Sequence, residues 1–165
     1  MPSKRIYELL VRERVPYEVL PHALSITAQE TARVTQIPGA EFAKATILKA
    51  DGRFVMAVLP AGQHVDLDRM RPLTRADRVE LASEDEFVSI FPDCERGAEP
   101  PFGSLYGLDV FVDSALAENA RIAFNAGTHR EALRIDYQTF HRLVRPVVAS
   151  FAFRPVPHEA DAWGG

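Results

Sequence analysis

The sequence predicts an α/β (α+β) single domain: a mixed, mostly antiparallel, curved and barrel-like sheet with helices packed outside it. Three observations carry this reading. The stretch Phe42–Pro60 is two apolar, β-branched runs joined by Asp51-Gly52. Asp-Gly in that setting is a strong hairpin signal, because a type I′ turn needs positive φ at both central residues. Further short alternating segments follow with two- and four-residue connections, which favour antiparallel pairing. Between them lie short segments with one apolar face that open on Ser, Thr or Asp and stop at Pro. Those are capped helices of a kind that packs on a sheet.

Taken in order, Ser3 caps a first helix with Ile6, Leu9 and Leu10 on one face, and Pro16 ends it. Tyr17–Leu20 reads as a short strand that turns out at Pro21-His22. Thr27-Ala-Gln-Glu30 has the spacing of a capping box, so a second helix runs to about Ile37 and stops at Pro38-Gly39. The hairpin follows, then a turn at Pro60-Ala-Gly62. Asp66 caps a short helix over Leu67–Met70, broken before Pro72. Arg78–Ala82 alternates as a strand. Ser83–Glu86 is a second capping box, and its acids suit the positive end of a helix carrying Phe87, Ile90 and Phe91 and ending at Pro92. Asp93–Gly103 is irregular, since its prolines and glycines fit neither helix nor central strand. Asp109–Asp113 reads as a buried strand, and Ala115–Asn119 as one helical turn. Arg121–Asn125 and Glu131–Ile135 are strands around Ala126–His129. Asp136 caps a last helix with Phe140, Leu143 and Val144, ended by Pro146. One domain is expected over residues 1–153, with a loosely ordered tail over 154–165. There is no internal repeat and no linker.

The 165 residues suffice for one real core. No run of 18 apolar residues exists and the N-terminus has no apolar signal core, so neither a membrane span nor a leader is expected. The single cysteine, Cys94, excludes an internal disulfide and fits a reducing, cytoplasmic setting. It has no His or Cys at zinc-ligand spacing. A net charge of −4 argues against a general nucleic-acid coat. The charge is uneven: residues 80–119 hold ten acids against Arg96, and residues 120–155 hold six Arg against Glu131 and Asp136. These are either two solvated faces or a local basic patch for a phosphate backbone.

Candidate site residues come from three places. Lys44 is one of only three lysines beside 16 arginines. Alternation puts Lys44, Thr46 and Leu48 on one face of the first hairpin strand and Ala45, Ile47 and Lys49 on the other. Leu48 implies that the Lys44 face is partly buried, where a lysine must find a partner, reach water along its stem, or serve a ligand. The Gly97-Ala98-Glu99-Pro100-Pro101-Phe-Gly103 loop either brings backbone close to a carbonyl, an α-amino group or a small side chain, or is a rigid surface turn. Gly127-Thr128-His129 lies at a sheet end, where the histidine either orients a ligand or water or is a solvent-exposed turn residue. His22, after a short strand, is read the same way, whereas His64 and His141 read as structural or exposed. Cys94 reads as an incidental loop thiol.

Together Ala43-Lys44-Ala-Thr-Ile-Leu48, Asp51-Gly52, Val58-Leu-Pro60, Gly97–Gly103 and Asn125-Ala-Gly-Thr-His129 resemble the YbaK/prolyl-tRNA synthetase-associated domain family over about residues 3–150. That family includes free-standing aminoacyl-tRNA deacylases of the ProX/YbaK kind and the editing insertion of bacterial prolyl-tRNA synthetases. The resemblance implies a hydrolase that clears a small, wrong amino acid by cutting its ester to the 3′ adenosine of a tRNA. Its partners are then the aminoacyl-tRNA and a synthetase, and it needs no metal or other cofactor. The resemblance assigns Lys44 to the essential lysine, and Gly97, Ala98 and Pro101 to the loop around the aminoacyl group. It assigns Gly127 and His129 to substrate contact, and Thr128 and His22 are counted with them as candidate substrate-binding residues. Ala45 departs from members with a polar residue there. Glu99 is a charge near an expected amine, either pairing with it or pointing to solvent. The alternative is a non-catalytic module that binds aminoacyl-tRNA, an amino acid or nucleic acid through the basic Arg121–Arg145 segment.

Overall fold

The computed structural model describes residues 3–22 and 27–155. In chain order it contains α1 (Lys4–Arg12), β1 (Glu18–Pro21), α2 (Ala28–Thr35), β2 (Phe42–Ala50), β3 (Arg53–Pro60), β4 (His64–Val65), α3 (Leu67–Thr74) and β5 (Val79–Leu81). These are followed by α4 (Glu84–Phe87), β6 (Asp109–Asp113), α5 (Ser114–Ala117), β7 (Arg121–Asn125), β8 (Glu131–Asp136), α6 (Tyr137–Val144), β9 (Val147–Ala149) and β10 (Ala152–Phe153).

The main sheet runs β1-β8-β7-β2-β3-β6-β9, and β5 pairs with β2 beside that path. The β1·β8, β7·β8, β2·β3 and β2·β5 pairs are antiparallel, and β2·β7, β3·β6 and β6·β9 are parallel. The sheet is therefore mixed, mostly antiparallel and curved, as expected, but its path ends at β1 and β9 without closing into a barrel. The hairpin is as read: Asp51 has φ 49° and Gly52 φ 86°, and the register runs from Ala50↔Arg53 to Ala43↔Pro60. The Asp51 carboxylate also accepts from the backbone N–H groups of Asp77 and Arg78 at 3.0 Å each, which fixes the start of β5 against the turn.

Both faces of β2–β3 are covered, as in a central sheet region. Ala43, Ile47, Met56 and Val58 pack with α1, α6 and Phe102. Leu48, Ala50, Val55, Ala57 and Leu59 pack under Met70 of α3 and Phe151. Lys44 shares the second of these faces.

Several local expectations are corrected. The helix expected to break before Pro72 continues through it to Thr74. The missing N–H deprives only the carbonyl of Asp68, an exposed residue, while Met70 anchors the buried face. The Thr27 hydroxyl accepts from the Glu30 N–H at 3.0 Å, and α2 ends at Thr35 because Gln36 turns left-handed. Asp136 stands at the N-cap of α6 but its side chain caps nothing. The strands β4, β9 and β10 were not anticipated: two or three residues long, they exist through pairings that only the tertiary fold brings together. Most of the tail expected to be loosely ordered, residues 156–165, lies outside the described residues. No helix among the described residues is long and apolar enough to cross a membrane.

The buried carboxylate of Asp113, at the end of β6, ties three segments together. It accepts from the N–H groups of Ala115 (3.0 Å), Phe151 (2.9 Å) and Ala152 (2.8 Å). Asp113→Ala leaves these donors without that carboxylate and is expected to cost about 2–3 kcal/mol, read from the urea midpoint; an unchanged midpoint would refute this role.

Candidate active site

The site begins with an interruption in the sheet. On one edge of β2, Phe42 and Ala43 pair with Ala123 and Phe124 of β7, and pairing resumes only with Leu48, Lys49 and Ala50 against Leu81, Glu80 and Val79 of β5. Residues 44–47 have no strand beside them there. The Ile47 carbonyl accepts from the Ala82 N–H at 3.0 Å. Backbone direction alternates along a strand, so the N–H and C=O of Ala45 also face the opening.

Two clefts flank this edge. One, of about 220 Å3, is lined by Lys44, Thr46, His64, Val65, Leu67 and Leu81. The other, of about 270 Å3, includes Ala45, Thr46, Ile47, Glu84, Gly97 and Glu99 among its walls. Thr46 and Leu81 belong to both. A larger hollow of about 380 Å3 around Gln29, Pro60 and Arg154 contains none of the candidate residues.

Lys44 is half-buried, as its strand face implies. Desolvation holds its pKa below the ordinary lysine range. It makes no hydrogen bond or ion pair among the described residues, whereas Lys49, on the opposite face, pairs with Glu86 at 2.5 Å. Desolvation, followed by the Lys44 charge, lowers the pKa of His64. Lys44 is thus an available cation at the mouth of a cleft.

The Gly97 loop is held from behind. The Gly127 N–H donates to the Ala98 carbonyl at 2.9 Å, and the Glu95 N–H donates to the Gly127 carbonyl at 2.8 Å. The His129 N–H donates to the Glu95 carboxylate at 2.6 Å, which together with the Thr128 hydroxyl lowers the Glu95 pKa. The His129 Nε2 contacts the Arg96 carbonyl, an acceptor, so this nitrogen carries the proton. Its Nδ1 is buried without a hydrogen-bond partner among the described residues. Ser3 closes the assembly. Its N–H donates to the Ala126 carbonyl at 2.6 Å, and its hydroxyl donates to Asp93 at 2.7 Å. Tyr106 donates to the other Asp93 oxygen at 2.9 Å.

The predicted residues therefore separate. The structure brings Lys44, Gly97 and Glu99 to the two connected clefts. Ala98 and Pro101 are buried behind the loop, and Gly127, Thr128 and His129 are buried as its support. His22 sits beside Arg130, its N–H donating to that carbonyl at 3.0 Å on the outer side of β8. Neither cleft contains it. Thr46, His64, Leu81 and Glu84 were not anticipated as walls. Thr46 was readable from its shared face with Lys44, but His64 and Glu84 arrive through tertiary contacts. Burial pushes the Cys94 thiol up to about 12, so it is no thiolate nucleophile. No group of three metal-ligating side chains exists among the described residues. Half of the six arginines after residue 119 already have carboxylate neighbours: Arg121 and Arg134 pair with Glu18, and Arg142 with Glu13.

Comparison with known proteins bears on this geometry. Residues 22–143 match the family model of the aminoacyl-tRNA editing domain. The proline–tRNA ligase of Bacillus licheniformis is 32% identical over 104 residues, covering 61% of this chain and 17% of the ligase. That of Bacillus subtilis is 27% identical over 133 residues, covering 73% of this chain and 23% of the ligase. The chain thus spans less than a quarter of the length of these curated relatives. Among solved structures, hypothetical protein APE2540 superposes with a TM-score of 0.82 at 19% identity, covering 91% of this chain and all of that one. A candidate trans-editing enzyme for prolyl tRNA synthetase superposes with a TM-score of 0.77 at 18% identity, covering 92% and 96%. Both structural matches establish the fold.

Two outcomes are expected. A Cβ at Gly127 (φ 89°) meets the Ser3 backbone nitrogen at 2.6 Å. Gly127→Ala should cost about 1–3 kcal/mol by denaturant unfolding, and a midpoint equal to wild type would refute the close approach. For Lys44, a lowered pKa means the unfolded chain binds more protons between the folded and unfolded pKa values. Wild-type stability relative to Lys44→Met should therefore rise with pH in the alkaline window below 10.5. A flat difference across that window would refute the desolvation.

Proposed function

This chain belongs to the aminoacyl-tRNA editing domain family, and we propose that it is an aminoacyl-tRNA deacylase that clears a small, non-cognate amino acid. The observation that carries this reading is Lys44: a desolvated, uncompensated ammonium beside an interrupted strand edge, across which the Gly97 loop lies. The substrate is the 3′ end of a mischarged tRNA, met in the cytoplasm and produced by a synthetase.

An aminoacyl ester is already activated, so positioning and charge stabilisation suffice. Water adds to the ester carbonyl, the C–O bond to the ribose breaks, and the ribose oxygen takes a proton as amino acid and tRNA separate. Lys44 supplies positive charge to the terminal ribose–phosphate region, in surroundings where charge is poorly screened. The N–H of Ala45 and the backbone of the Gly97 loop supply fixed dipoles near the carbonyl. Gly127, Thr128 and His129 act through the loop they hold. A cleft of about 270 Å3 suits a small side chain. Editing is needed because a synthetase pocket discriminates a missing methylene by only about 1–3 kcal/mol.

The test is a deacylation panel: tRNA-Pro and several other tRNAs charged with Ala, Cys, Ser, Thr and Pro, with wild type, Lys44→Ala and Lys44→Met. Wild type should release one amino acid rapidly. Both variants should lose about 100-fold or more in kcat/KM while melting at or above the wild-type temperature. Release at the buffer rate from every ester would overturn the reading.

A further inference from the structure

Two acids line the cleft at the opening, Glu84 and Glu99, and Glu99 is the one without an ion-pair partner among the described residues. It lines the 270 Å3 cleft with Ala45, Thr46 and Gly97. The Gly97 N–H donates to its carboxylate at 3.3 Å, and it has no ion-pair partner among the described residues. The cations that could have neutralised it are engaged elsewhere. Arg96 turns to Asp85 (2.8 Å) and Glu84 (4.0 Å), and Lys49 turns to Glu86. Burial, reinforced by the Glu84 charge, raises the Glu99 pKa against the opposing pull of its own backbone N–H, the Gly97 N–H and the nearby His129. A carboxylate withdrawn from water without a cation is unfavourable and gains from a ligand that brings one.

Lys44 presents the converse on the adjoining cleft, and the two clefts share Thr46 and Leu81. Two uncompensated charges of opposite sign thus flank one short length of unpaired strand edge. An aminoacylated 3′ adenosine has the complementary arrangement, with an ammonium at one end, a phosphodiester at the other and the scissile carbonyl between.

We infer that the Glu99 carboxylate binds the α-ammonium of the aminoacyl group, so that the ester lies against the Ala45–Thr46 edge with its ribose–phosphate end toward Lys44. The assignment rests on the deacylase reading and makes the protein selective for esters with a free amine. It also places the side chain, not the amine, in the rest of the small cleft, where Ala45 and Ile47 offer apolar contact.

The experiment compares wild type, Glu99→Gln and the charge-retaining Glu99→Asp on the most rapidly released aminoacyl-tRNA, with the α-amine free or N-acetylated. Acetylation should lower wild-type kcat/KM about tenfold or more, chiefly through KM. Glu99→Gln should lose a similar factor on the free amine and treat the two substrates alike. Glu99→Asp should keep part of the preference. An equal effect of acetylation in wild type and Glu99→Gln would overturn the assignment while leaving the deacylase reading intact. Wild type inactive on every ester would overturn the deacylase reading instead. The amine contact would then be decided by titrating an aminoacyl-adenosine with an amide in place of the ester. A free-amine preference lost in Glu99→Gln supports it, and equal binding of free and acetylated forms rejects it.

Discussion

Strand β2 shares one of its edges between two partners that never meet. β7 takes its first residues and β5 its last, the two diverge, and residues 44–47 are left between them. A continuous sheet would satisfy the Ala45 backbone with another strand and close both clefts. The opening persists because each flanking strand is held for its own reasons. β7 is paired along its length with β8, and β5 is tied at its start to the hairpin turn through Asp51. The full β2·β3 register on the other edge keeps the exposed length of β2 extended. The opening is therefore a consequence of strand pairing rather than of a mobile loop.

The second constraint is the clamp behind the Gly97 loop. A loop rich in proline and glycine forms few regular hydrogen bonds, so its position must come from outside. Here it comes from the 126–129 turn and from Ser3, which bind residues 93–98 through backbone and carboxylate contacts. This explains why Gly127, Thr128 and His129 look like site residues in sequence yet lie buried in the fold. Their tight spacing serves placement of the loop that carries Gly97 and Glu99.

The sequence was informative where the controlling interactions are local. Asp51-Gly52 announced the hairpin because its φ angles demand such residues, and the Ser83–Glu86 capping box announced α4 through two reciprocal hydrogen bonds. The alternation of β2 correctly put Lys44 on a half-buried face with Leu48. Legibility ended where distant segments decide. The split edge of β2 depends on β5 and β7, which are separated by some forty residues. The β4·β10 pairing that brings His64 beside Lys44 joins two-residue strands with no periodicity to read. Pro72 misleads because its missing donor points to a break, whereas the packing of Met70 holds the helix across it. The resemblance marks positions and not which way a side chain faces. Ala98 and Pro101 face the interior, and Glu99 between them faces the cleft.

Lys44 and Glu99 sit on either side of the same strand edge and form no ion pair with each other. Side-chain alternation explains this: Lys44 projects to the face covered by α3, whereas the Glu99 cleft opens among Ala45, Ile47 and Phe87 on the other. Had the two charges met, they would have neutralised one another and removed the polarity of the opening. Kept apart, each is a desolvated charge that weakens the free protein, and together they form a fixed dipole across the unpaired backbone of Ala45. In the proposed deacylase such an arrangement matches a ligand whose own charges lie at two ends of a reactive carbonyl, and the stabilisation withheld from the folded protein is what that ligand would restore. This accounts for a small cleft that combines apolar walls with two unmatched charges, a combination that core packing alone would disfavour.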